Sequence, residues 1–152
     1  MYEIVQVIND YFDIALLLIV LYSSIMWFWF LDDEPQINNA SFRFFLNLEV
    51  AVSVTILVLG IIAVSYNVSS LSKGWVQFKA ILTIMSTATI ALNRLKTKKY
   101  LESNIDKNAH KKINFLRVII IGLIMTNYTL TEVSKARENP EIQQEIKEKF
   151  KK

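Results

Sequence analysis

The stretch Gly74 to Lys99, GWVQFKAILTIMSTATIALNRLKTKK, decides how many times the chain crosses a membrane. Lys79 and Arg94 bracket an uncharged run of only about 21 Å at 1.5 Å per residue, short for the roughly 30 Å of a hydrocarbon core. Lysine and arginine stems reach toward the interface, however, and Trp75 sits where an aromatic anchor belongs, so the effective span runs from about 75 to 95. On this reading Lys79 marks where the membrane begins.

The flanking runs are clearer. Ile14 to Leu31, IALLLIVLYSSIMWFWFL, carries no charge and is close to the roughly 20 residues that a crossing needs. Phe42 to Tyr66 holds Arg43 and Glu49 near its start, then an unbroken apolar run. Phe115 to Thr131 begins near Arg117 and ends before Glu132, giving a fourth span over about 115 to 132. The expected fold is an all-α membrane protein: four transmembrane helices in a bundle over residues 1–135, then a short C-terminal amphipathic helix over 136–152.

Composition agrees. With 53% hydrophobic residues and three glycines in 152, and a mean hydropathy of +0.31, the chain is too apolar for an ordinary soluble domain of its size. The net charge of +3 could suggest nucleic acid, but the basic residues sit at the ends of apolar runs, where they face headgroups. Nucleic acid is therefore not an expected partner; the lipid bilayer and other integral membrane subunits are. The chain has no cysteine, which excludes disulfides, thiolate metal sites and cysteine nucleophiles. The acidic N-terminus, MYEIVQVINDYFD, lacks the basic region of a cleaved signal, so the first apolar run is read as a retained span.

Between the first two spans, DDEPQINNAS supplies the turn formers Pro35, Asn38 and Asn39, with Ser41 as a cap for the next helix. Asp32, Asp33 and Glu34 are read as the solvated end of a span, since consecutive carboxylates rarely converge on one ion. Trp27 to Phe30 is read as an interfacial aromatic belt. Lys96 to Asn114, which holds the only histidine, His110, is expected as an exposed basic loop. In the tail, Asn139 and Pro140 open a helix whose Ile142, Ile146 and Phe150 form one apolar stripe, a surface for lipid or a partner. Lys and Arg nearly balance across the two sides. Weighting those closest to span ends puts the third loop inside and both termini outside.

Small residues at helical spacing mark contacts between helices in lipid. The second span offers Ser53, Gly60 and Ala63, the third Ala80, Thr83, Thr87 and Ala91, and the fourth Gly122, Thr126 and Thr129. Glu49 is the one intramembrane charge that points to function, because ionisable groups within spans are costly and mark ion or proton routes. The competing reading is structural: Glu49 is wet, or pairs with Arg43, Arg94 or Arg117, with Asn47 and Ser53 solvating it. Met26, Met85 and Met125 are read as core packing rather than a soft-metal path. No Ser/His/Asp arrangement, phosphate loop or HExxH motif appears, and His110 alone builds no metal site. Catalytic, cofactor-binding and metal-ligating residues are all expected to be absent.

Two resemblances follow from these residues. GWVQFKAILTIMSTATIALNRLKTKKYLES and INFLRVIIIGLIM resemble the last two spans of the copper-resistance CopD and HemJ-like membrane proteins, in which a Gly-Trp pair opens a span with an early lysine. Haem-binding members of that group use histidines within spans, and no span here contains one. That scaffold implies a small transporter or a quinone- or haem-handling protein with Glu49 as ionisable centre. The length, the four spans and the opening MYEIVQVINDYFDIALLLIVLYSSIMWFW resemble the small accessory X-type membrane subunit of archaeal ammonia monooxygenase. This second resemblance implies a non-catalytic subunit that binds no cofactor itself, packed beside copper-containing subunits related to particulate methane monooxygenase. No catalytic residue carries over from it.

Overall fold

A computed structural model describes residues 2–30, 39–103 and 107–138. Four long helices fill them: α1 (Tyr2–Phe30), α2 (Asn39–Tyr66), α3 (Gly74–Ser103) and α4 (Lys107–Glu138). A single 3₁₀ turn, Val68–Ser72, joins α2 to α3. Each long helix contains a stretch long and apolar enough to cross a membrane: Val7–Phe28, Ala40–Tyr66, Gly74–Glu102 and His110–Ser134. The described residues thus form an all-helical, multi-pass membrane protein fold. Helix is the form that satisfies every backbone N–H and C=O within one segment where no water is at hand, and it prevails here over the many β-branched Ile, Val and Thr residues.

The helices outrun the expected spans at nearly every end. α1 begins at Tyr2, twelve positions before Ile14, and α3 continues past Leu95 to Ser103. Ser41 lies inside α2, so the capping role expected of it is not the one it plays. The basic stretch from Lys96 is mostly helix rather than loop, and His110 belongs to α4. The tail residues Ile142, Ile146 and Phe150, like Asp32, Asp33 and Glu34, lie outside the described residues.

Successive helices alternate in direction. α1 packs on α2 and α4, and α3 on the same two, so α1–α3 and α2–α4 are the diagonals of a square bundle. Its centre is an apolar layer of Leu16, Val20, Val52, Ile56, Ile90, Ile120 and Ile124. Beyond it, toward the end of α1, a second cluster joins Met26, Trp27, Phe42, Leu46 and Ile113. Trp27 is buried there, stacked 5.5 Å from Phe42 and 5.2 Å from His110, and its Nε1 donates to Asn114 Oδ1 at 2.6 Å. The belt reading therefore fails for Trp27, whose ring closes the inside of the bundle instead of facing headgroups.

Candidate functional site

Polar side chains are buried in two levels on either side of the apolar layer. One face of α1 shows the pattern in sequence: Asn9, Asp13, Leu16, Val20, Ser23 and Trp27 are all buried at steps of three or four, as an inward stripe requires, with Ser24 buried beside Ser23.

The upper level is built around Glu49 and Arg117, each 1% exposed. α2 brings Glu49 into the bundle one turn before Ser53, and α4 brings Arg117 one turn after Ile113. Arg117 Nη1 lies 3.5 Å from Glu49 Oε1 and donates to Ser23 Oγ at 3.0 Å and Ser24 Oγ at 2.9 Å. Ser23 Oγ in turn donates to Glu49 Oε1. The guanidinium also sits 5.3 Å from the Phe42 ring, a favourable place for a desolvated cation. Of the three arginines weighed as partners for Glu49, Arg117 is the one selected. Arg43 is exposed, and Arg94 donates its Nε to Asn47 Oδ1 at 2.8 Å. Asn47 and Ser53 do not solvate the carboxylate, since Asn47 serves Arg94 and Ser53 Oγ donates to Val50 O at 2.9 Å. Ser23 does so, while Ser24 accepts from Arg117; they are two adjacent hydroxyls inside an otherwise apolar run, and that adjacency is the sequence signal.

The lower level answers the question raised by Lys79. Its Nζ lies 3.3 Å from Asp13 Oδ2, across the α1–α3 diagonal. Lys79 therefore has a partner inside the bundle and does not mark the interface alone. Asp13 stands one residue ahead of the uncharged run in α1, so the span expected from Ile14 leaves it out. Asn127 accompanies the pair, its Nδ2 donating to Thr83 Oγ1 at 3.4 Å. The two levels lie about 15 Å apart along α1, from Asp13 to Ser23, at 1.5 Å per residue.

The small residues divide. Ser53 is buried, Thr83 and Thr87 are half-buried, and Thr87 Oγ1 donates to Ser53 O at 3.5 Å, joining α3 to α2. Gly60, Ala63 and Ala91 are half-buried, and Ala80 is exposed. Gly122, Thr126 and Thr129 all face outward, and a Cβ added at Gly60 or Gly122 would meet nothing within 4 Å. Neither glycine marks a close helix approach within this chain, which corrects the packing role expected of Gly60, Gly122 and Thr126. The outward threonines donate to their own helix, Thr126 to Gly122 O and Thr129 to Met125 O at 2.8 Å, so they face lipid or another protein without an unsatisfied donor.

Among the described residues no three His, Cys, Asp or Glu side chains gather as metal ligands. Comparison with family models, with curated proteins and with solved structures gave no match to this chain.

Proposed function

We propose that the chain is a non-catalytic accessory subunit of a multi-subunit membrane enzyme, with archaeal ammonia monooxygenase as the assembly that its sequence resembles. The observation that carries this reading is the outward surface of α4. Gly122, Thr126 and Thr129 form the kind of small, hydroxyl-bearing strip on which membrane helices dock, yet they face away from the chain's own bundle. A second span from another subunit fits there. In this reading copper belongs to the partner subunits, the assembly sits in the cell membrane, and the basic region around Lys96 to Lys112 lies inside.

The internal use of charge supports the same reading over a transport role for Glu49. A carboxylate that serves as an ion or proton route must exchange with water, whereas Glu49 is enclosed with Arg117 and two serines. Extraction of native membranes in mild detergent, a native gel and mass spectrometry of the band test the proposal. Comigration at fixed stoichiometry with copper monooxygenase subunits is the expected result. Migration as a monomer or small homo-oligomer overturns it.

A further inference from the structure

Between the lower ion pair and the apolar layer lies a small cavity with room for about one water-sized particle. Six polar side chains line it: Asp13, Ser53, Thr83, Ser86, Thr87 and Asn127. Their hydrogen bonds determine what it accepts. Ser53 donates to Val50 O, Thr83 to Lys79 O, Ser86 to Thr83 O and Thr87 to Ser53 O, at 2.9, 2.9, 3.0 and 3.5 Å, so the four hydroxyl protons are already used. Asn127 spends an amide proton on Thr83, and its Oδ1, buried, accepts no hydrogen bond among the described residues. Asp13 adds a carboxylate that is 7% exposed. Beside the apolar Leu16, Ile56 and Ile124, the wall thus offers mainly oxygen lone pairs, with the second N–H of Asn127 as its one spare amide proton.

We propose that this cavity is a binding site for one small alkali cation of the sodium class, taken up in exchange with the ammonium of Lys79. Hard cations take oxygen ligands, and carboxylate, amide and hydroxyl oxygens converge here from four helices. Charge selects valence: one carboxylate neutralises one monovalent ion, whereas a divalent ion leaves an uncompensated positive charge at membrane depth, which is costly. With no His or Cys in the lining, softer transition metals lack their preferred donors. Lys79 acts as the tethered competitor. Its side chain is 18% exposed at the start of α3, and its stem lets the ammonium swing toward the headgroups as the ion enters. Polar side chains continue from the cavity toward the near end of the bundle. The antiparallel register of α1 and α4, fixed by Trp27 with Asn114 and by Arg117 with Ser24, brings Asn9 near the level of Thr131, and both are buried.

The test uses the purified full chain in nanodiscs, with sodium chloride exchanged for N-methylglucamine chloride at constant ionic strength. Thermal unfolding is followed for the wild type, Lys79→Gln and the double variant Asp13→Asn with Lys79→Gln. A ligand that binds only the folded state raises Tm with its concentration. Wild-type Tm should rise with sodium, Lys79→Gln should reach the same rise at no more than one tenth of the sodium concentration, and the double variant should show none. Radioactive sodium binding to the folded wild type gives a second readout that needs no variant, with one ion per chain expected. Equal Tm in both salts together with no bound sodium overturns the proposal and makes the cavity a water site. A sodium response that survives in the double variant overturns it equally, by placing the ion elsewhere.

Discussion

Glu49 and Arg117 meet across the α2–α4 diagonal, Oε1 to Nη1 at 3.5 Å, at a depth where neither side chain reaches solvent. Asp13 and Lys79 do the same on the α1–α3 diagonal at the other end of the apolar layer, 3.3 Å apart. In lipid there is little hydrophobic drive between helices, so association depends on packing and polar contacts. An apolar layer of Leu, Ile and Val tolerates sliding by a turn. Two crossed ion pairs do not, because a slip of one helix strands a charge, and they set the register of all four helices.

Removing one member of the upper pair should therefore cost far more than removing both. Glu49→Gln leaves Arg117 buried without a counter-charge and should destabilise the bundle by about 3–5 kcal/mol. The double variant Glu49→Leu with Arg117→Met should recover most of that loss. Reversible unfolding in mixed micelles measures both. Wild-type stability in Glu49→Gln would mean that the pair does not hold the helices.

Trp27 separates a hydrogen bond from packing. Trp27→Phe keeps a ring against Phe42 but strips Asn114 Oδ1 of its donor, at a cost of about 1–3 kcal/mol. Trp27→Ala also opens a hole in the aromatic cluster and should cost about 3–5 kcal/mol. Thermal scans should rank wild type, Phe and Ala in that order. Indistinguishable variants would return Trp27 to the lipid interface.

Because the chain has no cysteine, single cysteines report topology without background. A cysteine at Ser72, exposed between α2 and α3, should react with a membrane-impermeant maleimide from one side. One at Lys99, near the end of α3, should react from the opposite side, the inside on the proposed orientation, and one at Ile84, outward and mid-helix, from neither. Labelling of Ser72 and Lys99 from the same side would remove α3 as a span, and Lys99 labelling from outside would invert the orientation.

Hydropathy makes the four helices legible, because each apolar run reaches or comes close to the crossing length once snorkelling at Lys79 and Arg94 is allowed. Their ends are less so: Tyr2 to Asp13 and Lys96 to Ser103 continue as helix beyond the uncharged runs. Glu49 stood out by cost alone, but choosing Arg117 over Arg43 and Arg94 required knowing which helices lie diagonal to each other. Asp13 was hidden by its place just ahead of an uncharged run, and Trp27 by a composition that interface and core share. Small-residue spacing revealed stripes without revealing which way they face.

The direction of the α4 stripe yields the sharpest prediction. Glycine inside a helix costs about 0.5–1 kcal/mol relative to alanine, and at Gly122 the space beyond the backbone is open. In the isolated chain Gly122→Ala should be neutral to slightly stabilising, and Gly122→Leu should fold as the wild type does. Ser53→Leu, buried on α2, should by contrast overpack the bundle and cost about 1–3 kcal/mol or more. On the proposed docking, the order should reverse for Gly122 in native membranes, because a leucine there holds a partner helix away. Gly122→Leu should then reduce comigration with partner subunits while the chain's own melting temperature stays unchanged. A Gly122→Leu chain that unfolds in isolation would place the residue inside the bundle. One that assembles normally would move the partner surface off this face of α4.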